Sequence, residues 1–250
     1  MRAGPDFSAA AYLPTTRAGP PSLMDPERDL RRSRGRVGMR SIMVLNAEGG
    51  SGKSVIATNL AGFYALDGAN VALADFDPQG SALEWLAHRP PTRPRVHGIA
   101  AWQGPFRVPR DTEYLIIDGP AGVHGERLSA LARRAATLIV PVLPSPPDTR
   151  AAAHFIEELL LVGRVSRRDP RLAVIANRVR GQTPVFQDLE RFLKRLAIPY
   201  VTALRESRNY RRAAERGLGI FELAPSLVAP DLLQWHPLLD WLEHNRRRGC

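Results

Sequence analysis

The sequence contains a single cysteine, Cys250, which is the last of its 250 residues. One cysteine permits neither a disulfide framework nor a cysteine-based metal site within one chain, and it favours a reducing cytoplasm. No apolar run approaches the roughly 18 residues that a membrane-spanning helix requires. The first residues also lack the hydrophobic core of a secretion signal. We therefore expect a cytoplasmic protein without disulfides or transmembrane helices.

Lysine is almost absent from the chain. Lys53 and Lys194 are the two lysines among 35 basic residues, so arginine supplies nearly all of the positive charge. The formal net charge of +10 favours a polyanionic partner. A solvated basic surface explains the same charge, so composition alone leaves both interpretations open.

Residues 1–38 are rich in proline, glycine, alanine and arginine and show no sustained periodicity. This composition predicts a disordered, basic N-terminal segment. Two interpretations stay open, because Met39 lies just before the first predicted strand. Either translation begins at Met39, or the segment is a basic arm that contacts nucleic acid.

Residues 39–250 are predicted to form one α/β domain, since 44% of the chain is hydrophobic and its length suits a single core. Short apolar runs predict strands, and helical patterns lie between them. This alternation predicts a doubly wound, mostly parallel sheet flanked by helices. The predicted strands are 42–45, 70–74, 95–99 (at a sheet edge), 114–118, 136–142, 172–177 and 200–204. The predicted helices are 55–61, 81–88, 126–135, 151–162, 184–196 and 232–248.

A phosphate-binding pattern follows the first predicted strand. Its glycines let backbone N–H groups approach an anion, and the start of the next helix adds partial positive charge. Lys53 is expected to reach the β- and γ-phosphates, and the Ser54 hydroxyl to bind Mg²⁺. A glycine-rich turn without a nucleotide is the competing interpretation. The predicted nucleotide contacts in this stretch are Gly49, Gly50, Ser51, Gly52, Lys53, Ser54 and Val55.

Acidic residues end two later strands. Asp75 and Asp77 follow the second predicted strand, and carboxylates at the carboxyl end of a parallel strand face the ligand crevice. A simple strand-to-helix turn is the alternative there. Asp118 ends a run of four apolar residues, as in a Walker B strand, and is expected to hold Mg²⁺.

Taken in order, these motifs resemble the deviant Walker A ATPases of the ParA/MinD family. The similarity covers roughly residues 39–223 and implies a P-loop NTPase fold with ATP and Mg²⁺ as cofactors. It implies that Asp77 orients the attacking water and that Asn177 recognises adenine. Asn177 at the end of a core strand also suits a simple turn. Gly119 and Ala121 replace a threonine and a proline of the family's second switch, where backbone contact to the γ-phosphate is still expected.

One position departs from the family pattern. Glu48 stands where the family has its signature lysine, which crosses a face-to-face dimer to the partner's ATP. A glutamate near triphosphate repels it, by about 1–4 kcal/mol at roughly 4 Å. Either dimerisation uses another cation, for which Arg150 is our candidate, or Glu48 points away and pairs with an arginine.

A cluster of arginines near the C-terminus completes the resemblance. Spacings of three and four residues predict a shared helical face that binds DNA phosphates without reading sequence. A solvated face with salt bridges to Glu206 and Glu215 is the alternative. The predicted DNA contacts are Arg208, Arg211, Arg212 and Arg216.

The resemblance implies a ParA-like ATPase that dimerises on ATP and binds nonspecific DNA. Such a protein partitions or positions a plasmid, chromosome or protein cargo, and a ParB-like or other adaptor stimulates its slow hydrolysis. It is expected to be cytoplasmic and nucleoid-associated. Two alternatives stay open. One is a MinD-like regulatory ATPase whose helix over 232–248 lies on a membrane. The other is a nucleotide-binding module with little turnover.

Overall fold

The computed structural model describes residues 38–161, 172–196 and 198–246. The predicted disordered segment 1–38 therefore lies outside the described residues except for Gly38, and it stays a prediction. The strands are β1 (Arg40–Val44), β2 (Val71–Asp75), β3 (Val96–Ala100), β4 (Tyr114–Asp118), β5 (Thr137–Val142), β6 (Leu172–Val179) and β7 (Tyr200–Arg205). The helices are α1 (Lys53–Leu66), α2 (Ser81–Ala87), α3 (Gly125–Ala132), α4 (Pro146–Leu161), α5 (Pro184–Arg195), α6 (Arg208–Ala214) and α7 (Pro225–Arg246).

The seven strands form one sheet in the order β3-β2-β4-β1-β5-β6-β7. Every neighbouring pair is parallel. The predicted strand at 95–99 is β3, and it lies at the sheet edge as expected. Strands β1, β2, β4 and β5 are buried on both faces, which explains their continuous apolar runs. The fold is a doubly wound, parallel α/β sheet of the P-loop NTPase type.

Alternate residues of each strand contribute to two separate hydrophobic layers. Met43 points into one layer with α3, α4 and α5, whose contributions include Leu128 and Phe155. Ile42 points into the other, with α1, α2 and α7, whose contributions include Trp235. This arrangement leaves the carboxyl ends of the strands free for loops, as open α/β sheets require of a ligand site.

Two helices begin earlier than the sequence predicted. Helix α4 begins at Pro146 instead of residue 151, and α7 begins at Pro225 instead of residue 232. Proline suits the first position of a helix, because its missing N–H has no intrahelical partner there. The predicted ends at residues 162 and 248 fall outside the described residues.

Helix α7 uses its apolar side chains inside the domain. Trp235 and Leu242 are fully buried, and Leu239 is nearly so. These are three of the five apolar residues on which the membrane-lying alternative rested, and they pack in the layer that contains α1. Leu232 packs partly buried against the same layer, whereas Leu233 is 58% exposed. None of the helices in the described ranges is long and apolar enough to cross a bilayer.

Candidate nucleotide-binding site

The glycine loop between β1 and α1 is held at both ends by backbone and amide contacts. The Asn46 side-chain amide donates to the Pro141 carbonyl at 2.7 Å, and the Asn46 side-chain oxygen accepts from the Glu48 N–H at 3.3 Å. Gly50 and Gly52 have φ of 75° and 92°. Both angles lie in the left-handed region that glycine adopts without strain. The loop thus turns back over the carboxyl end of β1 before α1 begins.

Gly52 also meets a residue from a distant strand. The Asn177 side-chain amide donates to the Ser51 carbonyl at 2.8 Å. A Cβ atom on residue 52 would lie 2.2 Å from the same Asn177 nitrogen. Asn177 therefore supports the loop, in addition to any contact with a base, and it makes more than the simple turn that was the alternative.

We expect Gly52→Ala to weaken nucleotide binding far more than Gly50→Ala. Both substitutions impose backbone strain of about 1–3 kcal/mol at a positive φ. Residue 50 has open space around it, whereas residue 52 also collides with Asn177. Equilibrium titration with a fluorescent ATP analogue measures both variants. Equal losses of affinity would show that the contact between the loop and Asn177 is unimportant.

Lys53 lies against the loop with carboxylates nearby. It is 7% exposed, and its ammonium group donates to the Glu48 carbonyl at 2.9 Å. Burial lowers the pKa of Lys53, whereas the charges of Asp118, Asp77 and Glu48 oppose that shift. The site thus concentrates negative charge around its one lysine.

Asp118 is fully buried at the end of β4, in register with Asp75 on β2. Within the described part of the chain, neither Asp118 carboxylate oxygen accepts a hydrogen bond. Burial raises the pKa of Asp118 to about 7, and the nearby Ser54 hydroxyl and Lys53 oppose the shift. The Ser54 hydroxyl is thus the polar group nearest in effect to a carboxylate whose oxygens have no hydrogen-bond partner among the described residues.

Ser54 and Asp118 fit a magnesium ion. Mg²⁺ prefers oxygen ligands and is usually held by one or two protein groups together with substrate phosphates and water. A buried carboxylate without a hydrogen-bond donor, beside a hydroxyl at the start of a helix, supplies suitable oxygens. The site therefore has the composition expected for a metal–nucleotide complex.

The two carboxylates after β2 have different surroundings. Asp75 is fully buried, and its oxygens accept backbone N–H groups of Asp77 at 3.0 Å, Ala82 at 2.9 Å and Leu83 at 3.3 Å. Asp75 thus holds the start of α2 and is used structurally. Asp77 is half-buried, and among the described residues its carboxylate accepts from the Gln79 N–H alone, at 3.0 Å. Of the two, Asp77 is the carboxylate that remains available to a ligand.

Glu48 makes no ion pair with an arginine among the described residues, and the alternative in which it does so stays a prediction. Its side chain is half-buried, and its charge acts on Lys53. A nearby cation of the same loop thus partly balances the glutamate. The basic residue that would replace the signature lysine has to come from elsewhere.

The turn after β4 differs from the sequence expectation. A Cβ on residue 119 would lie 2.8 Å from the Val44 carbonyl oxygen and 2.5 Å from a Leu45 methyl group, so the threonine of the family cannot fit. The N–H groups of Gly119 and Gly122 donate to the Val44 and Ala47 carbonyls at 3.0 and 2.8 Å. These two N–H groups are therefore occupied, and any backbone contact to a γ-phosphate has to use other residues of the turn.

A cavity of about 730 Å³ adjoins the loop between α1 and the ends of β6 and β7. Asn177 lines it from β6, beside Gly52 and Val55 from the loop and α1. A purine base entering here would lie next to the phosphate-binding loop. The remaining lining residues are Ile56, Arg178, Arg180, Leu204, Arg205, Glu206, Ser207, Arg208, Tyr210, Arg211, Ala214 and Trp235.

Helix α7 holds one wall of this cavity through a residue that the sequence analysis missed. Asp231 is fully buried and accepts from Arg205 at 2.6 Å, Asn209 at 2.8 Å and Ser207 at 3.4 Å. Gln234 adds a bond from its side-chain oxygen to the Arg205 N–H at 2.8 Å. An isolated aspartate in a helical pattern gave no signal for this role.

A second missed group joins the two strand ends. Glu206, after β7, accepts from Arg178 at 2.9 Å and also from Arg180. These hydrogen bonds lower the pKa of Glu206 to about 2. The alternation of Arg178 and Arg180 beyond Asn177 was the available signal. The alternative interpretation paired Glu206 with the predicted DNA arginines. The structure pairs it with Arg178 and Arg180 instead.

The predicted DNA-contacting arginines are exposed but do not share one helix. Arg208, Arg211 and Arg212 lie on α6, whereas Arg216 lies beyond its end. The chain leaves the helix to reach Gly217, where φ is 62° and a Cβ would lie 2.3 Å from the backbone of Arg89. The predicted common face thus excludes Arg216.

Two further placements bear on the sequence predictions. Arg211 approaches Glu215 at 3.7 Å, so the predicted pairing with that glutamate is present but long. Arg150 is exposed in the second turn of α4 and makes no ion pair with another described residue. Its guanidinium is therefore free to contact a second molecule.

Comparisons with known proteins agree with this geometry. Residues 42–220 match the family described as the CobQ/CobB/MinD/ParA nucleotide binding domain. Maintenance of carboxysome distribution protein A of Halothiobacillus neapolitanus is 25% identical over 193 residues, covering 73% of this chain and 87% of that protein. The protein of the same name from Gloeobacter kilaueensis is 29% identical over 194 residues, with 73% and 84% covered.

The solved structures show the same fold. The cell division ATPase MinD of Pyrococcus furiosus superposes with a TM-score of 0.61 at 16% identity, covering 83% of this chain and 99% of that one. The family match extends over more than half of the sequence and includes the glycine loop, Asp118 and Asn177. The chain therefore belongs to the CobQ/CobB/MinD/ParA family of nucleotide-binding domains.

Proposed function

We propose that this protein is an ATPase that binds ATP with Mg²⁺ and hydrolyses it slowly. The observation that carries the proposal is the buried Asp118 carboxylate, which lacks a hydrogen-bond donor and lies near Ser54 and Lys53. These are the groups that a metal–triphosphate complex needs at a P-loop. The family match supports the nucleotide part of this assignment.

The roles of the residues follow from their positions. Backbone N–H groups of residues 49–55 surround the phosphates, and Lys53 moves from the Glu48 carbonyl to neutralise negative charge on them. Ser54 and Asp118 would hold Mg²⁺, and the ion would supply positive charge beside the phosphoryl group. Asp77 orients the attacking water, since its carboxylate is the less engaged of the two after β2. Asn177 contacts adenine from the cavity.

Beyond hydrolysis, we propose a positioning role in the cell. ATP closes a homodimer, the dimer binds nonspecific DNA of the nucleoid through arginines, and an adaptor protein stimulates hydrolysis. Release and rebinding then move a cargo. The similarity to two proteins named for carboxysome distribution supports a protein compartment as that cargo. We also propose that the folded domain extends over residues 39–250.

Dimerisation should depend on Arg150. With a non-hydrolysable ATP analogue, we expect the wild-type protein to sediment as a dimer and Arg150→Ala to remain a monomer. Glu48→Ala should dimerise at least as well as wild type, because it removes a repulsion of about 1–4 kcal/mol near triphosphate. Analytical ultracentrifugation with ATP analogue, with ADP and without nucleotide measures all three proteins.

The matched control is Arg191→Ala, since Arg191 is an exposed arginine on α5 that pairs with Asp188 on its own helix. It should dimerise normally. If Arg150→Ala also dimerises normally, another residue replaces the signature lysine. If the wild-type protein does not form a dimer in the presence of any of the nucleotides, the positioning proposal itself fails. A nucleotide-binding module with little turnover then becomes the better description.

A further inference from the structure

The cavity beside the glycine loop is divided into a buried floor and a charged rim. Ile56, Asn177, Leu204 and Trp235 are the buried lining residues. The exposed lining residues are Val55, Arg178, Arg180, Arg208 and Arg211. Four of these five residues are arginines. The rim, defined by these five exposed residues, is therefore positively charged where a ligand would enter.

The arginines of the rim are compensated to different degrees. Arg178 and Arg180 share the carboxylate of Glu206. Arg208 makes no ion pair with another described residue, and Arg211 approaches Glu215 only at 3.7 Å, between two largely exposed side chains. Exposed pairs of this kind contribute little energy. Arg208 and Arg211 are therefore the charges of the rim that can accept a new anionic partner.

Arg208 and Arg211 share one side of α6. Residues three apart on a helix are neighbours on its surface, about 5–6 Å between Cβ atoms. Arg212 is the next residue along, is equally exposed, and does not line the cavity. Helix α6 thus presents one pair of arginines at the mouth and another arginine away from it.

We propose that duplex DNA bound to Arg208 and Arg211 covers the mouth of this cavity and slows nucleotide exchange. The inference rests on the proposed function, since it needs the base in the cavity and DNA on α6. Phosphate contacts of this kind require no particular sequence. The same two arginines belong to the rim of the cavity. A DNA backbone that binds them would therefore obstruct the entry and exit of the nucleotide.

The composition of the rim favours DNA over a lipid surface. A helix that lies on a membrane buries an apolar face among the lipids. Val55, which is 37% exposed, is the one apolar side chain among the exposed residues of this rim. A charged rim with so little apolar surface suits a phosphate backbone.

Obstruction has a kinetic signature that distinguishes it from ordinary allosteric coupling. A cover slows entry and exit together and leaves the equilibrium affinity for nucleotide nearly unchanged. A coupling free energy between two sites instead changes the affinity. The association rate constant and the dissociation rate constant of the nucleotide therefore have to be measured separately, each with and without DNA.

The experiment compares wild type, Arg211→Ala and Arg212→Ala, which remove the same charge from adjacent positions of α6. A fluorescent non-hydrolysable ATP analogue is bound and then chased with unlabelled analogue, with and without nonspecific duplex DNA. DNA is saturating for each variant, as verified by anisotropy. We expect DNA to slow both rate constants about tenfold in wild type and in Arg212→Ala. Arg211→Ala should retain much less of this effect.

Three results would overturn the inference. The first is equal slowing in Arg211→Ala and Arg212→Ala, and the second is no effect of DNA on exchange. The third is a change in affinity without slower association, which would indicate coupling. Anionic vesicles that slow exchange where DNA does not would assign the rim to lipid instead. If nucleotide-dependent dimerisation persists in any of these cases, the proposed function stands without this inference.

Discussion

Asp118→Asn is expected to stabilise the nucleotide-free protein and to abolish the additional stabilisation that Mg²⁺ gives in the presence of ATP. A carboxyl group whose pKa rises from 3.8 to about 7 destabilises the folded state at alkaline pH by about 4 kcal/mol. A buried amide has its own cost of about 1–3 kcal/mol. We therefore expect the free energy of unfolding above about pH 7 to rise by about 2 kcal/mol.

The effect should depend on pH in one direction. The folded state holds the Asp118 proton more tightly than the unfolded chain does, because burial raises the pKa. Below about pH 4 both states are protonated and the penalty is absent. Between about pH 4 and pH 7 the unfolded chain ionises first, so this group lowers wild-type stability as the pH rises. Urea unfolding in EDTA across this range should show the advantage of Asp118→Asn shrinking as the pH falls and reversing below about pH 4, where only the cost of the buried amide remains.

Asp75→Asn is the matched control, since Asp75 is equally buried on the neighbouring strand. Its carboxylate accepts three backbone N–H groups, and an amide would leave at least one of them without an acceptor. We expect a loss of about 1–3 kcal/mol in the free energy of unfolding. Shifts of the same sign in both variants would contradict the distinction between a structural carboxylate and a metal-binding one.

Stabilisation by the cofactor gives the second readout. A ligand that binds only the folded state raises its stability in proportion to the logarithm of ligand concentration over Kd. In wild type the melting temperature should therefore increase with ATP and Mg²⁺ together. Asp118→Asn should show little further increase when Mg²⁺ is added to ATP. A full Mg²⁺ response in this variant would remove Asp118 from the metal site.

Lys53→Ala is expected to reduce ATP hydrolysis by about 100-fold or more, the usual cost of removing one group that stabilises transition-state charge. Lys53 is buried against the Glu48 carbonyl with three carboxylates near it. Without its positive charge, triphosphate would enter a site that is negatively charged. Nucleotide-dependent dimerisation should be lost as well. Phosphate release and sedimentation measure the two effects.

The second lysine of the chain provides the control. Lys194 is exposed on α5 and pairs with Glu190 at 3.2 Å, one helical turn away. Such a pair contributes about 0.3–0.5 kcal/mol, so Lys194→Ala should hydrolyse ATP as wild type does. Similar losses in both variants would indicate a general effect of charge or solubility. Unaltered hydrolysis in Lys53→Ala would refute the proposed function.

The features that were predicted correctly are local in the sequence. The parallel sheet was predictable because strands buried on both faces leave continuous apolar runs. The strands before the glycine loop and before Asp118 were placed in this way, while the nucleotide and Mg²⁺ contacts assigned to these residues stay a prediction. Helix starts were placed less well, since α4 and α7 begin at Pro146 and Pro225 instead of residues 151 and 232.

The features that were missed depend on residues far apart in the chain. The contact between Gly52 and Asn177 arises only when β6 is placed in the sheet. One alternative paired Glu206 with the arginines that follow it in the chain, but strand pairing brings Arg178 and Arg180 closer. The exclusion of a side chain at Gly119 depends on the neighbouring strand β1. Periodicity within one segment carries no information on such distances.

The anchoring of the cavity wall by Asp231 makes the C-terminal helix part of the candidate site. The family match ends at residue 220, before that helix begins at Pro225. Residues 42–220 alone therefore do not contain every residue that shapes the cavity, because Arg205 and Asn209 are held by Asp231 from outside that range.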